Sequence, residues 1–211
     1  MRHYGSGAEQ TRSRLLTAAA EEILERGYAG ASLSRIAERM GLTKGAFSHH
    51  FPTKISLIDA MTNHVVGMTP AIADAASGAF PDSPIRACVM VVGGIASASR
   101  ADPVFGAAIL LFQDPSIESV HVLPLRRSVD AMLEKCLRDA VAQEGYALTM
   151  RITDAVQYLQ VILAGFLSSA RFPDTFEAHQ EPLFMQATLT GIGIGDAEVV
   201  VGDVMKRLGE A

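Results

Sequence analysis

The sequence predicts an all-α protein in two parts: an N-terminal three-helix unit with a helix-turn-helix, residues 1–55, and a larger helical body, residues 56–211. Three observations predict this. Apolar residues recur at three- and four-residue spacing along most of the chain, and no stretch alternates as a strand does. Ser, Thr or Asp mark helix starts, several of them followed by Pro, and Gly marks the stops. Residues 32–54 hold two short helical patterns joined by a glycine.

In chain order, residues 11–26 form an amphipathic helix with Leu15, Leu16, Ala19, Ala20, Ile23 and Leu24 inward, stopped by Gly27, after a flexible arm over residues 1–10. Ser32 caps a short helix whose inner stripe is Leu33, Ile36, Ala37 and Met40. Gly41 supplies the positive φ of a sharp turn, a conformation that costs glycine nothing. Thr43 caps the second short helix, residues 44–50. It packs Phe47 and Phe51 inward with Leu42 and turns Lys44, Gly45, Ala46, Ser48, His49 and His50 outward. Glycine costs a helix about 1 kcal/mol relative to alanine, so Gly45 and Ala46 are explained by close approach to a partner rather than by stability. The outward face has the form of a recognition surface for the DNA major groove. Lys54, at the first turn of the next helix, is placed to hold a phosphate together with free backbone N–H groups.

That next helix carries Ile55, Leu57, Ile58, Met61, Val65 and Val66 toward Pro70 and Ala76. Ser83-Pro84 and Asp102-Pro103 each pair a cap with proline at the first helical position, opening helices to about Arg100 and about Phe112. Asp114-Pro115 ends the second. A helix over residues 125–144 follows, stopped by Gly145. The helix starting at Thr153-Asp154 is apolar on more than one side, which marks it as central or as part of a subunit interface. Further helices are expected from Pro173-Asp174-Thr175 to about Leu189 and over residues 196–208, with Gly191 to Gly195 as a hinge.

Charge separates the two parts. The chain has 18 Lys and Arg against 23 Asp and Glu, a net −5. Residues 1–56 nonetheless carry eight basic side chains (Arg2, Arg12, Arg14, Arg26, Arg35, Arg39, Lys44, Lys54) against five acidic ones, +3, leaving −8 on the remainder. A basic end on an acidic body suits a protein that offers one face to phosphates. Cys88 and Cys136 each lie inside an apolar helical run, which points to packing rather than to a disulfide or metal site. No apolar stretch has the length of a membrane span, and Met1 to Arg14 is not signal-like, so a cytoplasmic protein with no membrane partner is expected. His64, His121 and His179 are far apart in sequence. Gly-x-Gly-x-Gly at 191–195 has no preceding strand and the wrong spacing for a dinucleotide loop. With no nucleophile–base pair, cofactor motif or metal-ligand spacing, an enzyme is the weakest class.

Residues 32–57 resemble the N-terminal domain of the tetracycline-repressor (TetR) family, whose pattern reads Ser-x-x-x-Ile-Ala, Gly-Val-Ser/Thr-Lys-Gly, Leu-Tyr-x-His-Phe and Lys-x-x-Leu. The matching residues are Ser32, Ile36-Ala37, Gly41-Leu42-Thr43-Lys44-Gly45, Phe47-Ser48-His49-His50-Phe51, and Lys54 with Leu57. Ser48 stands where the family usually has a phosphate-contacting tyrosine, keeping a hydroxyl but losing reach and stacking area. The resemblance implies a homodimeric repressor on a near-palindromic double-stranded DNA operator. Its C-terminal domain would bind a small hydrophobic effector and the partner subunit. Dimerisation is expected on the helices over residues 153–170 and 175–190.

A finer resemblance, to the γ-butyrolactone-receptor branch, rests on Ala101-Asp102-Pro103-Val104, Ala107-Ala108 and Ser128 to Glu134. Met132 stands where that branch has a pocket tryptophan, and Leu110 where an arginine is common. A γ-butyrolactone-type signal and an antibiotic therefore both fit as effector. By position, Gln113, Met132, Tyr158 and Phe166 are the expected pocket residues; no cofactor or metal is implied. The alternative function is a helical ligand-binding or scaffolding protein with a degenerate, unused helix-turn-helix.

Overall fold

A computed structural model of the chain describes residues 4–169 and 180–209. Among these, every regular element is helical: α1 (Tyr4–Gly30), α2 (Leu33–Arg39), α3 (Lys44–His50), α4 (Lys54–Ala79), α5 (Pro84–Ala101), α6 (Pro103–Phe112), α7 (Ser119–Asp139), α8 (Ile152–Ser169), α9 (Glu181–Gly191) and α10 (Ala197–Gly209). The all-α expectation holds. No single helix among the described residues is long and apolar enough to cross a membrane.

Several expectations are corrected, among them the inward placement of Leu24 and Leu42, each of which is exposed. Instead of a flexible arm, α1 begins at Tyr4, and Thr11 donates its hydroxyl to the Gly7 carbonyl within that helix (2.8 Å). The run Ala8-Glu9-Gln10 consists of good helix formers, which extends the helix backward. α7 starts at Ser119 rather than near Leu125, carrying Pro124 inside its second turn, and ends in a π turn at Ala140–Glu144. Residues 191–195 are not a hinge: Ile192 and Ile194 are fully buried, and Thr149 ties the segment down, its N–H donating to the Ile192 carbonyl (3.1 Å) and its hydroxyl to that of Gly191 (2.7 Å). Alternate isoleucines buried in a core outweigh the freedom of the glycines between them. The start signal at Pro173-Asp174-Thr175 lies outside the described residues; α9 opens with Pro182 in its first turn.

The chain divides into two compact units, one of residues 1–68 with 97–126, the other of residues 69–96 with 127–211. In the first, α1 packs along α6 and against α2, and α2 packs on α3. Its core contains Leu15, Ile23, Ile36, Phe47, Phe51, Leu57, Met61, Phe105 and Leu111, all essentially inaccessible. A Cβ on Gly106 would meet the Ser99 carbonyl oxygen at 2.6 Å, so only glycine lets α6 turn back this closely after α5. Asp102 sets the start of α6, accepting from the N–H groups of Val104 (2.8 Å) and Phe105 (3.4 Å), and its other oxygen meets His64 Nε2 on α4 at 2.6 Å.

Burial pushes the Asp102 carboxyl up, but the His64 hydrogen bond and the two backbone donors outweigh it and hold it below the ordinary carboxylate range. A carboxyl with a lowered native pKa stabilises the fold above its unfolded-state pKa, and that contribution is lost as pH falls through the native value. Asp102→Ala is expected to cost about 0.5–2 kcal/mol near neutral pH. The deficit should shrink toward zero on acidification, as read by thermal melts of both proteins across the pH range.

The second unit is built around Ile85, Cys88 and Val89 of α5, Leu133 and Leu137 of α7, Val156 and Leu159 of α8, and Val200, Val201 and Val204 of α10. Polar ties fix its register. The Glu144 carboxylate accepts from the Ser83 hydroxyl (2.8 Å) and the Ile85 N–H (2.7 Å). Arg86 pairs with Asp203 (2.8 Å), and the Tyr146 hydroxyl donates to Asp196 (2.8 Å). Burial and then the neighbouring Asp196 push the Tyr146 pKa up to about 12.

Candidate nucleic-acid interface

The helix pair is assembled from local chemistry. Ser32 takes extended backbone and its Oγ accepts the Arg35 N–H (3.3 Å); Thr43 does the same for Ala46 (3.2 Å). Each hydroxyl therefore spends a lone pair on capping and keeps its proton free to donate to a phosphate. Between them Gly41 adopts φ 67°, closing the turn. Phe47 and Phe51, both fully buried, meet with ring centroids 5.8 Å apart and seat α3 on its neighbours.

This leaves Lys44, Gly45, Ala46 and His49 exposed, with Ser48 and His50 half-buried beside them. A Cβ added at Gly45 would meet nothing nearer than the Thr43 hydroxyl at 4.0 Å, so the small residues leave an open approach along the helix. The His49 and His50 rings lie edge to face, 5.6 Å apart. No cluster of three or more metal-ligating side chains exists among the described residues.

The basic residues separate into occupied and free ones. Arg39 pairs with Glu25 (2.5 Å) and with Glu22 (3.2 Å), which ties α2 to α1, while Glu22 also holds Arg26 (3.1 Å) one turn along α1. Lys54 lies over the Tyr28 ring (4.1 Å to its centroid) and donates to the Tyr28 carbonyl. Desolvation lowers its pKa, with Asp114 opposing. The expected phosphate clamp is thus already engaged within the protein, because the end of α1 folds against the start of α4. Sequence reasoning gave no separate weight to Arg12 and Arg35. Arg12 stacks its guanidinium over Phe51 (4.7 Å to the centroid), and Arg35 is exposed on the first turn of α2. Only the aggregate charge of the N-terminal segment hinted at them, since the Arg12–Phe51 contact joins residues distant in sequence.

The expected effector residues fall in both units. Gln113, the C-terminal cap of α6, lines a cleft of about 330 Å³ in the first unit, with Phe112, Asp114, Ile117, Val122 and Arg126. Met132, Tyr158 and Phe166 belong to the second unit: Met132 half-buried on α7, Tyr158 exposed on α8, and Phe166 against the Phe184 ring of α9 (6.2 Å).

Two capped short helices around a glycine turn, the second with a bare outward face, define a helix-turn-helix of the kind that lays its second helix in the major groove. Residues 15–61 match the family described as bacterial regulatory proteins, tetR family. The HTH-type transcriptional repressor AcnR of Corynebacterium glutamicum is 30% identical over 132 residues, 60% of this chain and 70% of that protein. The chain belongs to the tetR family, whose members are DNA-binding transcriptional regulators. HTH-type transcriptional regulator CymR of Pseudomonas putida is 41% identical over 51 residues, but these span only 24% of this chain and 25% of CymR. Two solved structures share the fold over 95% of this chain. A gamma-butyrolactone receptor, an ArpA-like protein, matches with TM-score 0.76 at 22% identity over 99% of its length. CprB of Streptomyces coelicolor, in complex with its operator, matches with TM-score 0.76 at 21% identity over 97% of its length.

Proposed function

We propose that this protein is a homodimeric repressor that binds a near-palindromic operator through residues 1–55 and leaves it when a small hydrophobic effector binds the body formed by residues 56–211. The observation that carries this is the exposed face of α3, where Lys44, Gly45, Ala46 and His49 stand free while every large apolar residue of the helix is buried. Lys44 contacts a base edge or phosphate. Ser32, Thr43, Ser48, His49 and His50 fix the register, to which Arg12 and Arg35 add phosphate contacts. Gly45 and Ala46 allow close approach. Lys54 contributes from its seat on Tyr28, bracing the start of α4. The effector class, a γ-butyrolactone-type signal or an antibiotic, draws support from the receptor-like fold and from the sequence features of α6 and α7.

Dimerisation is assigned to α8 and α9. Val161 is 70% exposed and Leu183 62%, with Tyr158 and Phe184 exposed beside them in sequence and on the same two helices. Large apolar side chains clustered on two helices mark a face that a partner covers. A second copy satisfies the two-fold symmetry that a near-palindromic operator requires.

The test is a gel-shift against the DNA upstream of its own gene, with unrelated duplex as competitor and salt varied. Specific, salt-sensitive retardation is expected; equal retardation of all duplexes favours the degenerate-domain alternative. Lys44→Ala is expected to weaken specific binding by about 1–3 kcal/mol, roughly five- to 150-fold. Its thermal midpoint should not move, because Lys44 is exposed and makes no contact that the fold uses.

A further inference from the structure

The cleft of about 330 Å³ in the first unit is walled by the end of α6, the turn after it and one face of α7. Its volume lies in the range of small-molecule sites. Phe112, Val122 and Leu123 are half-buried there and Ile117 is buried, which gives the cleft an apolar wall. On α7 the lining residues Ser119, Val122, Leu123 and Arg126 recur at three- and four-residue spacing, so the guanidinium stands on the same face as the apolar contacts. Arg126 is exposed and makes no ion pair or hydrogen bond with any described residue. Asp114, across the cleft's sequence at the end of α6, is already engaged. Its Oδ1 accepts from the Ser116 N–H (2.9 Å) and hydroxyl (2.6 Å), and its charge favours the Lys54 ammonium. The cleft thus combines apolar surface, one unpaired cation and a carboxylate that would repel a second negative charge.

We propose that this cleft binds a small amphipathic monocarboxylate, an aromatic or medium-chain acid whose carboxylate pairs with Arg126 and whose apolar body covers Phe112, Ile117, Val122 and Leu123. The planar guanidinium offers two parallel N–H donors to one carboxylate, a fit that a neutral head group does not match. A charged ligand anchored here goes beyond the hydrophobic effector class inferred above.

The same wall leads to the recognition unit. Pro124 lies inside α7 and has no N–H to give the Val120 carbonyl, so the first turn is held to the rest of the helix by one bond fewer. In that turn His121 Nδ1 lies 2.8 Å from Oδ1 of Asp59 on α4, and α4 follows α3 across a short turn. A ligand that fits better when the first turn of α7 closes on it biases the contact that holds α4, and with it the helix leading out of α3.

The full-length protein is titrated calorimetrically near neutral pH with 4-phenylbutyrate, 2-naphthoate and octanoate, each beside its primary amide. At least one acid should saturate one site per protomer, with its amide weaker by about ten-fold or more, the usual loss of a charge-assisted hydrogen bond. Arg126→Gln should weaken the acid to the level of its amide without moving the thermal midpoint, because the side chain is exposed. Val122→Trp, which fills the cleft, should weaken acid and amide alike. The proposal is overturned if none of the three acids binds at millimolar concentration, if amide and acid bind equally, or if Arg126→Gln binds as the unmodified protein does. Only the regulatory readout rests on the operator reading: saturating acid should change the gel-shift of the unmodified protein and not that of Arg126→Gln. Acid that binds through Arg126 while specific retardation stays unchanged overturns the link through α4 and leaves the operator reading standing.

Discussion

Phe47→Ala is expected to destabilise the protein by about 3–5 kcal/mol, the usual cost of emptying a buried phenylalanine site. Phe47 is fully buried, faces the Phe51 ring and is the buried anchor of the seven-residue α3. So short a helix has little stability of its own and depends on tertiary packing. Since folded domains are stable by only about 5–15 kcal/mol, the loss is a large fraction of what holds α3 in place. Thermal denaturation and amide exchange check it: the midpoint should fall sharply and protection should vanish first over α2 and α3. Operator binding should fail with it. The contrast with Lys44→Ala is informative, because that exposed substitution should weaken binding at constant stability. A Phe47→Ala protein with an unchanged melt would mean that α3 is not seated by its aromatic face.

The double substitution Val161→Glu with Leu183→Glu is expected to yield a folded monomer. Both side chains are largely exposed in the single chain, so the change costs the protomer little. In a two-fold interface each substitution occurs twice. Four carboxylates would be buried without partners, each costing several kcal/mol by desolvation, in addition to about 1.5–3 kcal/mol of lost apolar burial per side chain. Sedimentation should show the mass halved at micromolar concentration with the helical spectrum unchanged. Specific operator affinity should fall steeply, since one protomer reaches one half-site. If the unmodified protein already sediments as a monomer, or the double variant remains a dimer, α8 and α9 are not the interface.

Much of the candidate interface was legible in the sequence because its signals are local. Ser32 and Thr43 cap the helices they were expected to cap, Gly41 takes the positive φ of the turn, and Phe47 and Phe51 are buried as their spacing implies. Each depends on residues three or four positions apart, the range over which helical geometry fixes neighbours. The start of α6 was readable for the same reason, as Asp102 bonds to residues two and three positions on. The effector residues could be nominated only by position, because no local pattern separates pocket from core on an apolar helix.

By itself, then, the sequence determined the helical class, most element boundaries, the capped helix-turn-helix and the face of α3 that stays bare, since periodicity and capping are short-range properties of the chain. Tertiary structure alone decided which charges are available, because Arg39 is held by Glu22 and Glu25, and Lys54 by Tyr28, across separations that no spacing rule covers. It alone turned the glycine-rich 191–195 segment from an expected hinge into a pinned turn, by burying Ile192 and Ile194. In each case the outcome depends on which helix faces pack together, and that follows from the burial of apolar surface summed over a whole unit rather than from any one stretch of residues.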